Sequence, residues 1–356
     1  MKILITGGCG FLGSNIAASY LQSGDEVVVV DALFRKGSEL NLEWLRSLDG
    51  AEKLKFYQLD LAEADKLEAV FQKEAPFDYI CHLGGQVAMT TSLSDPRRDM
   101  LTNVVGTFNV LEVVRQYCPE ALIAYSSTNK VYGDLEHLRY EELPTRFTLP
   151  DFPNGLDEST PLDFASPYGC SKGAADQYMR DWHRNFGLNT VVFRHSSIYG
   201  GRQFATIDQG WIGWFCQKAV EQAAAFASGR QPENFTISGT GKQVRDVLHA
   251  EDLIRLYRSA YENRSLVGGR IFNIGGGIEN SLSLLELFDL LQELTGMSEP
   301  MCFERLPRRQ SDQDFFVADV SRASSLLAWV PRVTSRAGIS KMLQWTQAEV
   351  GRNSFR

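Results

Sequence analysis

The chain has 356 residues, with 36 Lys and Arg against 44 Asp and Glu, a formal charge of −8 and 44% hydrophobic residues. That length carries one large core or two units sharing a cleft, and the acidic balance excludes a general nucleic-acid binder. No apolar run is long enough to span a membrane. The cysteines, Cys9, Cys81, Cys118, Cys170, Cys216 and Cys302, are scattered and include no Cys-x-x-Cys pair, so neither a disulfide framework nor a metal site is expected. Strand-like residues begin at Lys2, which leaves no room for a secretory leader and implies a cytoplasmic chain.

Short apolar runs then alternate with helical patterns. The runs cover 2–6, 26–31, 54–60, 78–83, 122–127, 190–195 and 270–275. They are near-continuous Val, Ile, Leu and Phe without clean alternation, as strands buried on both faces read. Amphipathic stretches at 13–23, 64–74, 99–117 and 169–186 separate the earlier runs. This order predicts an α/β fold with a doubly wound parallel sheet and right-handed crossovers. The regularity fails after about Ile198. The expectation is a dinucleotide-binding unit over 1–194 and 245–277, interleaved with a smaller C-terminal substrate-binding unit over 195–244 and 278–356. The Pro-, Asp- and Gly-rich excursion of 134–165 reads equally as a binding loop or as a tolerated insertion.

The first strand leads into "ITGGCGFLGSN", where Gly7, Gly10 and Gly13 have the spacing of a dinucleotide-binding turn. The first glycine makes the turn, the second admits a pyrophosphate and the third lets helix and strand pack closely. The helix N-terminus offers N–H groups and a positive dipole end to the phosphates. Asp31 ends the next strand, 21 residues past Gly10, where a carboxylate accepts hydrogen bonds from ribose hydroxyls. It would repel a 2′-phosphate, so NAD is favoured over NADP, and Arg35 and Lys36 are left to a solvated loop. Asp60 either contacts the adenine amine or caps the helix that begins near Ala62. "HLGGQ" brings Leu83, Gly84 and Gly85 to the same edge, with His82 read as a packed core residue. The expected cofactor set is therefore Gly7, Gly10, Phe11, Leu12, Gly13, Asp31, Asp60, Leu61, Leu83, Gly84 and Gly85, joined by Tyr168 and Lys172.

In "SPYGCSKGAADQY", Tyr168 and Lys172 lie four residues apart, on one face of a helix that Ser166-Pro167 is suited to start. A neighbouring ammonium and a cationic nicotinamide both favour the phenolate, so Lys172 and the cofactor together are expected to make Tyr168 more acidic and able to take a proton from a substrate hydroxyl.

Together, the glycine turn, the hydroxyl-tipped strand "SSTNKVYGD" and the Tyr-Lys pair resemble the extended short-chain dehydrogenase/reductase family of nucleotide-sugar epimerases and dehydratases. The resemblance spans essentially the whole chain. It implies a Rossmann sheet, NAD, and a triad of Thr128, Tyr168 and Lys172, with Thr128 also touching the substrate. It implies further substrate contacts from Ser197 in "FRHSSIYG", Arg245 in "GTGKQVRD" and Arg309 in "LPRRQSD", where Arg308 is a competing assignment, and a homodimer or homotetramer built on helix pairs. Family dehydratases carry an Asp-Glu pair directly after the catalytic threonine. This chain has Asn129-Lys130 there, so the resemblance favours an epimerase, most closely those that act at C2 of a CDP-linked sugar. A nucleotide-sugar 4-epimerase, a net dehydrogenase or reductase, a dehydratase and a non-catalytic NAD-binding protein are the alternatives.

Overall fold

A computed structural model describes residues 1–87, 89–206, 209–308 and 312–353. Seven strands form the main sheet in the order Arg270–Ile274, Asn189–His195, Leu122–Thr128, Tyr79–His82, Lys2–Thr6, Glu26–Asp31, Leu54–Gln58, and every neighbouring pair is parallel. All seven expected runs are strands of this sheet. The order reverses direction at Lys2–Thr6, and the crevice beyond the carboxyl ends at such a switch point is where α/β sheets bind ligands.

Helices cover both faces, which is why the strands are apolar throughout. On one face Phe11–Gln22 and Ala250–Glu262 pack over Ile3, Ile5, Val27, Val29 and Phe193. On the other, Ala64–Glu74, Gly106–Tyr117 and Pro167–Phe186 cover Leu4, Val28, Ile80, Ile123 and Val192. All six cysteines are free thiols. Among the described residues no helix is long and apolar enough to cross a membrane, and no cluster of His, Cys, Asp and Glu could hold a metal ion.

The later part of the chain builds a second sheet. Val244–His249 is its centre, antiparallel to Ser281–Ser283 and parallel to Phe315–Phe316 and to Ser197–Tyr199. Beside it Phe235–Ser238 pairs with Phe303–Leu306. An aromatic core of Phe215, Phe235, Phe288 and Phe303 holds this layer, with ring centroids 4.9–5.8 Å apart. Residues 245–277 serve both sheets: Val244–His249 lies in the second, while Arg270–Ile274 forms an edge of the first.

The 134–165 excursion is a strap across the two sheets. Arg146 makes a two-pronged ion pair with Glu286, at 2.7 and 2.5 Å, and donates to the Ser281 carbonyl. Leu156 bridges to Ala318. Glu158 accepts the Asn273 N–H at 2.7 Å on the edge strand of the main sheet. A Cβ on Gly155 would lie 2.5 Å from the Val317 carbonyl oxygen, so the strap's backbone is pressed directly onto the second sheet.

Beneath the main sheet, the carboxylate of Glu74 is 2% exposed and gathers Lys2, Lys55 and Tyr57. Burial pushes this carboxyl up, but the hydrogen bonds from Lys55, Tyr57 and Lys2 prevail and hold it at about 2. A carboxyl lowered in the folded state stabilises above its ordinary range and loses that contribution as pH falls through the folded value. Glu74→Gln should therefore lower unfolding free energy by about 2–3 kcal/mol at neutral pH. In denaturant titrations its deficit against the parent should shrink between the ordinary carboxylate range and about pH 2.

Candidate active site

The turn after Lys2–Thr6 is shaped by its glycines. Gly7 has φ +68°, and a Cβ there would lie 2.8 Å from Gly84 Cα. A Cβ on Gly13 would lie 2.2 Å from the Gly7 carbonyl oxygen. Only glycine permits this cradle. Gly10 is the N-cap of Phe11–Gln22, with no side-chain cap and no acidic residue in the first turn. The positive end of that helix is thus offered to an anion rather than neutralised from within.

A cavity of about 760 Å³ opens over this turn. Gly7, Gly10, Phe11, Leu12, Gly13, Asp31, Asp60, Leu61, Leu83, Gly84, Gly85, Thr128, Tyr168, Lys172 and Ser197 all line it. Residues from seven separate segments of sequence therefore meet at the carboxyl edge of the sheet. Arg245 is not on this lining, and Arg309 lies outside the described residues.

Asp31 accepts the Cys9 N–H at 2.9 Å and the Leu33 N–H at 2.8 Å, one on each oxygen. Burial pushes its carboxyl up, while N–H donors from Leu33, Cys9 and Gly10 oppose this. Each oxygen keeps acceptor capacity, which suits a pair of ribose hydroxyls. Asp60 does not cap the helix Ala64–Glu74, whose N-cap is Glu63: one oxygen accepts the Ala62 N–H at 3.1 Å in the turn ahead of it and the other pairs with Arg98 at 3.0 Å. His82 is a core histidine, bonded to Thr6 and Thr107 and pushed down to about 3 by burial. Arg35 and Lys36 are not confined to a solvated loop; both line the cavity, and Arg35 acts electrostatically on Asp31 and Tyr168.

Ser166 caps the helix Pro167–Phe186 by accepting the Gly169 N–H at 3.0 Å, and Pro167 takes the first helical position. Tyr168 and Lys172 then face the tip of Leu122–Thr128. Lys172 Nζ donates to the Ser126 carbonyl and lies 4.3 Å over the Tyr125 ring. Burial pushes the ammonium down to about 7, against the pull of Asp176 and Asp99. The Lys172 ammonium is not among the groups that act on the Tyr168 hydroxyl here. Burial pushes the Tyr168 hydroxyl up to about 12; a hydrogen bond with Thr128 and the charge of Arg35 pull the other way, and Asp99 adds to the rise. A sequence pattern places the two groups on one helix face but does not report how dry that face is.

Two neighbours escaped the sequence reading. Asn103 lies in a π-helical turn, Met100–Val105, a departure that helices often make at functional sites. It accepts the Gln86 N–H at 2.8 Å and donates to Ser171 at 2.9 Å, so it ties the cavity floor to the Tyr168 helix. His195, the Cα partner of Thr128 in the next strand, lines the cavity with neither ring nitrogen bonded. Burial and the charge of Lys172 push it down to about 3, so it is neutral.

Ser197 accepts from Trp211 Nε1 at 3.1 Å. Arg245, on the second sheet, donates to Asp312 at 2.9 Å and to its neighbour's carbonyl. Arg308 pairs with Asp314 at 3.0 Å. Burial pushes Lys130 down to about 8, Arg245 adds to this, and Asp312 and Asp134 oppose it.

The arrangement brings a glycine turn at a helix N-terminus, the Asp31 carboxylate and the hydroxyl, phenol and amine of Thr128, Tyr168 and Lys172 to the same cavity. Such a site can move a proton at a carbinol while a hydride leaves the same carbon. Asp31→Ala should leave the fold intact by circular dichroism. By calorimetry it should weaken NAD binding by about 10- to 100-fold, as expected for loss of charge-assisted hydrogen bonds.

Comparisons with known proteins agree with this geometry. The family model described as GDP-mannose 4,6 dehydratase matches residues 4–342. CDP-paratose 2-epimerase of Salmonella typhi is 57% identical over 348 residues, covering 98% of this chain and 100% of the relative. A dTDP-glucose 4,6-dehydratase of Salmonella typhimurium is 31% identical over 97% of this chain and 92% of its own. Among solved structures, UDP-glucose 4-epimerase of Thermotoga maritima, determined with UDP-glucose, superposes with a TM-score of 0.79 at 26% identity, covering 98% of this chain and 100% of that one.

Proposed function

This chain belongs to the extended short-chain dehydrogenase/reductase family, and on that premise we propose that it is an NAD-dependent isomerase that inverts C2 of a CDP-linked sugar of the paratose/tyvelose type. The carrier and the carbon follow from the end-to-end likeness to CDP-paratose 2-epimerase. The observation that carries epimerisation over dehydration is the turn after Thr128, where Asn129 and Lys130 stand in place of carboxylates. Dehydration needs an acid and a base beside the transient ketone, and the side chains of that turn supply neither.

NAD held by the glycine cradle and Asp31 supplies the acceptor, and later the donor, of the hydride. Tyr168 takes the proton of the sugar hydroxyl as the carbonyl forms and gives it back on reduction. Thr128 holds the same oxygen in line with Tyr168. Lys172, braced by the Ser126 carbonyl, is placed for the ribose at the reacting end. Between the two half-reactions the flat keto-sugar has to turn over, and the residues around it must bind the nucleotide firmly and the sugar loosely. Residues 195–244 and 278–356 are assigned to that grip, with Ser197 toward the sugar and Arg245 toward the diphosphate. In this role Arg245 exchanges its pairing with Asp312 for the ligand's charge.

The protein is further read as a homodimer or a dimer of dimers through the helices Gly106–Tyr117 and Pro167–Phe186. Phe108, Tyr178, Trp182 and Phe186 form a run of edge and tilted ring contacts there. Phe108 is 40% and Phe186 51% exposed, a large apolar area for a protein to leave to water. Replacing both by Glu should convert the oligomer to monomers in light scattering; an unchanged mass removes this assignment.

Incubation with CDP-paratose, followed by NMR of the product, should show inversion at C2 with NAD retained through turnover. A product inverted elsewhere, a dehydrated product, or net release of NADH overturns the reading. Tyr168→Phe should lose at least about 100-fold in turnover while still carrying NAD on purification.

A further inference from the structure

Three side chains meet at the rim of the cavity, and the reaction as described uses none of their mutual contacts. Arg98 Nη1 pairs with Asp60 at 3.0 Å, and the Arg98 guanidinium lies 4.5 Å over the ring of Phe34. All three residues line the cavity. They follow different strands of the main sheet, in which the order runs Tyr79–His82, Lys2–Thr6, Glu26–Asp31, Leu54–Gln58. Arg98 comes after the first of these strands in sequence, Phe34 after the third and Asp60 after the fourth, while the second carries the glycine turn. The Arg98 side chain therefore reaches past the glycine turn to two loops beyond it. That is the side of the turn where Asp31 stands, opposite the strand that ends at Thr128. The two loops also belong to opposite layers. Leu33 packs into the core with Phe11–Gln22, and Leu59 and Leu61 into the core with Ala64–Glu74. The contacts of Arg98 thus join both walls of the cleft.

Each end of this junction is held in place. Leu33 takes φ +57°, a rare conformation for leucine, and its N–H is fixed by Asp31 at 2.8 Å. Phe34, next in the chain, is 69% exposed. The short helix Pro96–Asp99 is anchored by the buried Asp99, which accepts from Gln86 and from Ser92 at 2.7 Å each. Asp95 accepts the Arg98 N–H at 3.1 Å. A planar guanidinium can donate in its plane to a carboxylate while its face lies on a ring; an ammonium has no such face.

We propose that Phe34, Arg98 and Asp60 form a clasp across the adenosine end of the NAD cleft, which has to part for the dinucleotide to enter or leave. The inference rests on the reading that NAD stays bound through turnover. An epimerase returns its hydride to the same sugar, so a cofactor that left midway would strand a keto-sugar. A clasp guards against this without tighter binding, because it slows exit and entry alike.

The protein is loaded with carbon-14-labelled NAD and chased with unlabelled NAD, and the retained label is followed in time. The dissociation constant is measured separately by calorimetry. Arg98→Leu and Phe34→Ala break the clasp from opposite walls and leave Asp60 in place. Arg98→Leu should release label about 3- to 30-fold faster, the size of a partly exposed ion pair together with a cation–π contact. Phe34→Ala keeps the ion pair and should release it about 2- to 5-fold faster. The dissociation constant should stay within about twofold in both, because a contact made equally with and without the dinucleotide does not shift the equilibrium. The double variant should release no faster than Arg98→Leu alone. High salt should narrow the gap between the parent and Arg98→Leu by screening the ion pair. Unchanged release overturns the clasp. So does faster release matched by an equal loss of affinity, which would make these residues ordinary binding contacts, and so does a double variant faster than Arg98→Leu. Should Arg98→Leu fail to fold, Phe34→Ala, on an exposed side chain, carries the same test. No sugar is needed for the exchange. A parent protein that epimerises no CDP-sugar would overturn the functional reading and leave the clasp standing.

Discussion

The site depends first on one buried ion pair. Arg194 meets Asp176 through two parallel hydrogen bonds at 2.8 and 2.9 Å, and both side chains are almost fully buried. Asp176 lies one helical turn beyond Lys172, and Arg194 lies one residue before His195. The pair therefore locks the helix that carries Tyr168 and Lys172 to the sheet that carries Thr128. Ser127 Oγ donates to the same carboxylate at 2.9 Å, so the strand that ends at Thr128 is held as well. Two charges so deep lose hydration worth several kcal/mol each, and only complete hydrogen bonding makes the arrangement tolerable. Here it is close to complete: Arg194 also donates to Tyr132, Tyr132 to Asn273, and Asn273 to the Leu156 carbonyl. The network extends from the helix Pro167–Phe186 to the strap without a break.

That lock explains why a site assembled from distant segments can be exact. Hydride and proton transfer tolerate little misplacement of the reacting groups. The glycine turn, Asp31 and Leu83-Gly84-Gly85 are set by strand ends in a parallel sheet, whose register is fixed by burial on both faces. Tyr168 and Lys172 arrive on a helix and have no such guarantee. Their position relative to Thr128 is set by Asp176 and, from the other side, by the Asn103 to Ser171 contact in the π-helical turn. Sheet register and helix docking are thus two separate means to one constellation.

The main sheet was legible because its signals are local. Near-continuous apolar runs, glycines after the first strand and an i,i+4 spacing each lie within a few residues of one another. What stayed hidden depends on partners far apart in sequence. Val244–His249 is not among the expected strand runs; its neighbours, near 198, 282 and 316, make it the centre of the second sheet. Asn103 has no motif of its own and is meaningful only beside Gln86 and Ser171. Arg35 looked like a loop cation because nothing local shows the cavity wall turning toward it. The burial that raises the Tyr168 hydroxyl is hidden for the same reason: the ammonium is in the sequence, and the dryness is not. Asn129 was noticed as a missing carboxylate, but its bond to Gln313, 184 residues away, could not be read from the sequence.

The strap of residues 134–165 also changes what counts as a module in this protein. It leaves the main sheet after Thr128 and its turn, is bolted to the second sheet through Arg146 and Glu286, and returns to the main sheet at the helix that bears Tyr168. A cut at the apparent boundary near residue 195 would therefore separate Glu286 from its arginine and Val317 from the backbone pressed on it. The structural unit is discontinuous, the second sheet together with a loop from the middle of the first, and recombination at a single point would pass on the second sheet without the strap bonded to it.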